Sequence, residues 1–107
     1  MLYEWRVYKV VPGKMDALNK RFQDITLKLF EKHGIRAVGF WEAVIGSSNT
    51  LYYMLAWSDM ADREKRWNSF QSDPEWKNAR QQTEKDGPMV EILNNLLLRP
   101  TAYSPMK

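Results

Sequence analysis

No cysteine occurs among the 107 residues, and histidine occurs once, at position 33. Without thiols there is no disulfide, no thiolate metal site and no thiol nucleophile. With one imidazole, a transition-metal site would have to be built from carboxylates, and no Asp/Glu cluster in the sequence has the spacing for one. A serine triad would depend on the same His33, and none of the six serines stands in a nucleophile-elbow context. His33 falls in the last turn of a predicted helix, where a partly charged imidazole meets the negative end of the dipole, so it reads as structural. No residue pattern calls for a cofactor.

Long apolar runs are also missing. The longest, Leu51 to Trp57, is far short of the ~20 residues that span a bilayer, and the N-terminus lacks a basic start followed by an apolar stretch. The expectation is a soluble, cytoplasmic protein with no membrane span. The 16 basic and 13 acidic residues give a net charge of +3 without forming a block of either sign. The densest stretch, Arg63-Glu64-Lys65-Arg66, already carries an acid, which argues against a phosphate-neutralising stripe and hence against nucleic acid as a partner. With no low-complexity tract or linker to mark a boundary, residues 1–107 read as a single domain.

What the chain does have is apolar and aromatic bulk: 44% hydrophobic residues, including five tryptophans, five tyrosines and four phenylalanines, enough for a core. Residues 2–10 are rich in β-branched and aromatic types and stop at Val11-Pro12-Gly13, a turn. From Lys14 to His33, Met15, Leu18, Phe22, Ile25 and Leu29 recur at steps of three and four, one stripe along a helix that Gly34 ends. Residues 35–45 and 50–57 are two more apolar runs, predicted to pair antiparallel across a four-residue loop, Gly46-Ser47-Ser48-Asn49. Ser58 and Asp59 can cap a helix with Met60, Glu64, Trp67 and Phe70 or Gln71 on one side and Trp67 as its anchor. Asp73-Pro74-Glu75 restarts the helix over residues 74–85, with Trp76 and Ala79 or Arg80 inward, and residues 89–98 form a last strand.

The order β-α-β-β-α-β predicts an α+β, ferredoxin-like fold, a four-stranded antiparallel sheet with its helices on one face. The other face has no cover within one chain, yet the strands are apolar on both sides. The first strand sets Tyr3, Trp5 and Val7 against Leu2, Glu4, Arg6, Tyr8 and Val10, and Leu51–Trp57 is apolar throughout. At about 25 cal/mol per Å², leaving several aromatics in water forfeits a few kcal/mol each, and pairing like faces across a two-fold axis removes that cost. A homodimer is therefore expected.

Tyr3-Glu4-Trp5-Arg6-Val7-Tyr8 with Pro12-Gly13-Lys14, Gly39-Phe40-Trp41 leading to Gly46, Ala56-Trp57 with Asp62-Arg63-Glu64, Asp73-Pro74-Glu75-Trp76, and Leu97-Leu98-Arg99-Pro100 with Tyr103-Ser104-Pro105 together resemble the NIPSNAP family almost end to end. The resemblance implies a dimeric α+β barrel in which two four-stranded sheets face each other. It implies little chemistry: bacterial members largely lack an assigned activity, and animal members are associated with mitochondria and with binding other proteins. Similar barrels include cofactor-independent monooxygenases, haem-degrading enzymes and lactone isomerases, so the fold is an analogy for function only.

Glu4, Arg6 and Tyr8 alternate on one strand and point from one side of the sheet. That side is expected to be the open, second apolar face on which dimerisation rests, so a charged pair would sit in an apolar chamber, where charge is tolerated only when paired or used. Glu42 and Asn94 or Asn95 are candidates to join it. Trp57, Trp67 and Trp76 are candidates to line a pocket between sheet and helices that suits a flat apolar ligand. Two readings follow: a dimeric barrel that binds a small apolar molecule or a protein partner, and a small cofactor-independent enzyme of monooxygenase or isomerase type. In the second, Arg6 or Glu42 positions a polar group and Tyr8 donates a proton or hydrogen bond.

Overall fold

A computed structural model describes residues 1–107, and its elements follow the predicted order. Strand β1 spans Leu2–Val10, β2 Arg36–Glu42, β3 Thr50–Trp57 and β4 Val90–Leu98. The first helical segment runs through α1 (Met15–Arg21), a π-helical turn (Phe22–Thr26) and α2 (Leu27–Lys32); the second is split into α3 (Met60–Ser72) and α4 (Pro74–Thr83). The strands form one antiparallel sheet in the order β2-β3-β1-β4, the ferredoxin-like arrangement.

Local chemistry sets the element ends. Gly13 turns the chain after β1 at φ +87°, and Gly34 closes α2 at φ +70°, a conformation that is costly for any residue with a Cβ. Asp59 caps α3 by accepting from the Asp62 backbone N–H at 2.7 Å. Asp73 ends α3 and caps α4, accepting from the Glu75 N–H at 2.8 Å with Pro74 at the first helical position.

The β2–β3 connection is longer than the four residues expected. The ladder ends at the pair Glu42 and Leu51, leaving residues 43–49 as loop with Val44 and Ile45 in solvent. On α3 the buried anchor is Phe70, not Trp67, which is only half-buried, and Met60 is exposed. Phe70 packs 4.7 Å from Trp76 and 5.0 Å from Phe30, centroid to centroid, and so joins both helical segments.

The core lies between the sheet and the helices, filled by Leu18, Leu29, Phe30, Leu55, Trp57, Phe70 and Met89 among others. Glu4, Arg6 and Tyr8 lie on this covered side: Glu4 meets Trp57 and Arg63 of α3, and Arg6 stacks on Trp67. Their expected place on the open face is thus corrected. The side of β1 that carries charge is the one the helices cover, because α3 and β4 bring the partners those charges need.

The open face carries Trp5, Val7, Tyr52, Met54, Trp41 and Leu96. Trp5 lies 5.8 Å from both Trp41 and Tyr52, and Trp41 folds across Gly39, where a Cβ would come within 2.7 Å of its ring. Trp41 is 48% and Leu96 58% exposed. The C-terminal segment covers one end of this face, where Tyr3 donates its hydroxyl to the Lys107 carbonyl at 2.5 Å.

Candidate functional site

Between sheet and helices lies a cavity of about 190 Å³ whose lining includes the exposed Pro88 and Leu93 and the half-buried Val90. Aromatic side chains make most of its wall: Phe22 and Phe30 from the first helical segment, Trp67 and Phe70 from α3, Trp76 from α4. Arg6, Tyr8 and Tyr53 supply a polar floor on the sheet, while Arg21 and Thr26 stand on the opposite wall.

The floor is an ordered network. Arg6 donates from Nη1 to Glu4 Oε2 at 2.8 Å and from Nε to the Tyr53 hydroxyl at 2.6 Å; a longer contact of 3.4 Å runs from Nη2 to the Tyr8 hydroxyl. The Tyr8 and Tyr53 oxygens are 2.6 Å apart. The Arg6 guanidinium also lies over the Trp67 ring at 4.7 Å. The charge is therefore held from the cavity side by an aromatic face and from behind by a carboxylate.

Glu4, fully buried at 0% exposure, lies behind that floor and does not line the cavity. Its two oxygens accept from Arg6, from Trp57 Nε1 at 3.0 Å, from Arg63 Nε at 2.8 Å and Nη2 at 3.1 Å, and from Asn95 Nδ2 at 2.9 Å. Burial pushes this carboxyl's pKa up, but the hydrogen bonds from Arg63 and Asn95 and the Arg6 charge outweigh it and hold it at about 2. Burial works against the Arg6 charge too, yet Tyr53, Tyr8 and Glu4 keep its pKa above the ordinary arginine value. Burial and the adjacent Tyr8 push the Tyr53 phenol well up, so it holds its proton.

The π-helical turn shapes the opposite wall. Its extra residue sends the Leu27 N–H to the Phe22 carbonyl, and Phe22 and Thr26 at its two ends line the cavity together with Arg21, the last residue of α1. Arg21 Nη1 reaches Thr83 Oγ1 at 3.2 Å and Glu84 Oε2 at 3.0 Å, and its guanidinium lies 5.2 Å from the Trp76 ring centre.

Of the residues singled out in the sequence, Arg6, Tyr8, Trp67 and Trp76 meet at the cavity. Trp57 is buried beside it as a donor to Glu4, and Asn95 joins the same carboxylate. Glu42 does not join: it lies exposed at the end of β2, 3.4 Å from Asn19 Nδ2. Arg21, Phe22, Thr26, Phe30, Tyr53 and Phe70 also line the cavity, and none of them is marked by the sequence as a cavity residue. Alternation marks Tyr53 as the partner-face neighbour of Arg6 once the register is known, but nothing in the helical stripe announces Arg21 or Thr26 as buried.

His33 has an unforeseen setting. Its Nδ1 is 2.8 Å from Ser69 Oγ and its Nε2 is 2.7 Å from Asp73 Oδ2, so three residue types of a serine triad meet. None lines the cavity, and Asp73 also holds Lys32 at 2.9 Å and the Glu75 N–H. Hydrogen bonds from Lys32, His33 and the Glu75 N–H keep the Asp73 carboxyl well below the usual range. The cluster ties the end of α2 to the α3–α4 joint. No group of three His, Asp or Glu side chains converges as a metal site, and no helix is long and apolar enough to cross a membrane.

Comparison with known proteins places this geometry. No curated protein matches the sequence. A NIPSNAP family protein of unknown function from Agrobacterium tumefaciens superposes with a TM-score of 0.87 at 27% identity, covering 100% of this chain and 94% of that one. An uncharacterized NIPSNAP domain protein from Burkholderia xenovorans gives 0.85 at 26%, covering 98% and 99%. At 11% identity and a TM-score of 0.64, a Nitrosomonas europaea protein, provisionally assigned as an antibiotic biosynthesis monooxygenase, shares the fold over 94% of this chain and 98% of its own. Residues 3–105 match the NIPSNAP family model, and the chain belongs to the NIPSNAP family.

Proposed function

We propose that this protein binds one small, flat, largely apolar molecule in the cavity between sheet and helices. The observation that carries this reading is a cavity of about 190 Å³ walled by five aromatic rings over the Arg6–Tyr8–Tyr53 floor. An apolar cavity of about 150 Å³ already takes up benzene, so this one has room for a single ring with a short polar substituent. A thermal-shift screen of one-ring compounds tests it: a binder at 100 times its dissociation constant adds about 2.7 kcal/mol of stability. Leu93→Trp, at the exposed mouth, should leave the fold intact and remove the response. A response unchanged in that variant would move the binding elsewhere.

The Tyr8–Tyr53 pair favours a second reading. Tyr8 reaches the cavity with its oxygen 2.6 Å from a phenol that keeps its proton, so it can donate a hydrogen bond to an oxygen on which charge develops. That suits an isomerase or a cofactor-independent monooxygenase; the Nitrosomonas europaea protein that shares the fold is provisionally assigned as an antibiotic biosynthesis monooxygenase. Tyr8→Phe would then abolish turnover of a substrate while leaving its binding within a few-fold.

The open sheet face supports a homodimer in which this face meets its copy, as a dimeric α+β barrel. Trp5, Trp41, Tyr52 and Leu96 form a contiguous apolar surface of the kind that soluble monomers rarely leave in water. Sedimentation at micromolar concentration should give twice the chain mass.

A further inference from the structure

Two buried polar atoms, each on a residue that lines the cavity, have no hydrogen-bond partner inside the protein. They are Arg21 Nε and Thr26 Oγ1, on residues that are 8% and 3% exposed. Buried polar groups are nearly always paired, and an orphan at the wall of a cavity points to something the cavity holds. Both atoms flank the π-helical turn. A helical threonine commonly bonds the carbonyl one turn back, but here the Phe22 carbonyl takes the Leu27 N–H and Thr26 Oγ1 is left free.

The charges around the cavity do not balance either. Arg6 and Arg63 share the Glu4 carboxylate, and Arg21 and Arg80 converge on the single oxygen Glu84 Oε2, at 3.0 and 3.1 Å. Four guanidinium groups thus meet two carboxylates, and Glu84 is the one acid on the wall itself. Arg80 is largely in water and Arg63 partly so, but Arg6 and Arg21 are buried on the cavity, and Arg21 shares its only acid with Arg80. A buried cation without a carboxylate of its own calls for an anion, and a guanidinium edge with a hydroxyl beside it matches the oxygens of a carboxylate.

We propose that the ligand is a small aromatic or conjugated carboxylic acid, its carboxylate held on the Arg21–Thr26 side and its ring among Phe22, Phe30 and Trp76. This rests on the cavity being the binding site and adds the ligand's charge and orientation. The aromatic wall takes the ring; the orphan donors and the surplus positive charge take the anion.

Calorimetric titration of the full chain with benzoate, and with its neutral counterpart benzamide, tests the proposal at pH 7 and low salt. Benzoate should bind at least about tenfold more tightly, a difference of about 1.4 kcal/mol. Thr26→Val, which keeps the side-chain shape and removes only the hydroxyl, should narrow that preference several-fold, and Arg21→Gln should erase it. Benzamide binding as tightly as benzoate, or a preference unchanged in Thr26→Val, overturns the anion assignment while the cavity reading stands. If neither compound binds the unaltered protein at millimolar concentration, the cavity reading falls with it.

Discussion

The phenol oxygens of Tyr8 and Tyr53 lie 2.6 Å apart, with the Arg6 Nε–H donating to Tyr53 at the same distance. Both tyrosines line the cavity floor and both are buried, so the pair carries the polarity of the core to the ligand space. Only one of the two protons can lie between them, and Tyr53, which accepts from Arg6, is the better anchored.

Tyr53 should therefore resist ionisation. Burial and the neighbouring Tyr8 raise its pKa well above the ordinary 10.0, against the pull of the Arg6 charge. Ultraviolet titration of the folded protein should lack the Tyr53 phenolate as the pH passes that value. The deficit should vanish in Tyr53→Phe, which leaves Arg6 Nε without an acceptor and costs about 1–3 kcal/mol in urea unfolding. Tyr8→Phe should cost less, since its contact with Arg6 is 3.4 Å.

Glu4→Gln should be among the most damaging single changes. It withdraws the charge that balances the buried Arg6 and the partly exposed Arg63 from a carboxyl that has no exposure to water. Removing one partner of a buried ion pair leaves an uncompensated charge and costs about 3–5 kcal/mol, which chemical denaturation would read directly.

The same carboxylate makes acid stability predictable. Folding lowers the Glu4 pKa from 4.5 to about 2, so the unfolded chain binds the proton more readily. The stabilisation is fully present above pH 4.5 and is lost as the pH falls from there towards 2. Asp73, also lowered, adds to the slope at the acid end of that window. Urea midpoints measured between pH 6 and 2.5 should fall steeply for the unaltered chain and more gently for Glu4→Gln.

How far the sequence alone reaches can be judged on these same residues. Alternation along Leu2–Val10 correctly sorts the strand into two sides, and the turn and cap residues Gly13, Gly34, Asp59 and Asp73 sit where their backbone roles require. Which side the helices cover was not legible, because both sides are apolar. Glu4 and Arg6 read as the polar exception, yet their partners Arg63 and Asn95 are 59 and 91 residues from Glu4. The cavity's other wall was hidden for a different reason. A three-and-four stripe through Leu18, Phe22, Ile25 and Leu29 is satisfied by an ordinary helix, so neither the π-helical turn nor the burial of Arg21 and Thr26 shows in it.

If the open face pairs with its copy, a charge there should split the dimer without touching the core. Leu96→Arg changes a side chain that is exposed in the single chain and lies beside Trp5 across the ladder. Sedimentation should shift from twice the chain mass to the chain mass, with little change in the far-ultraviolet spectrum. A species of single-chain mass before any substitution would remove the dimer from the account.

The claim that the cavity between sheet and helices is the binding site is tested most directly by the indole N–H resonances of the five tryptophans during titration with whichever of benzoate and benzamide binds more tightly. Trp67 and Trp76 line the cavity, while Trp5 and Trp41 stack on the opposite face of the sheet. The prediction is a saturable shift of the Trp67 and Trp76 signals with Trp5 and Trp41 unmoved. Shifts confined to Trp5 and Trp41, or none at any indole, would contradict it.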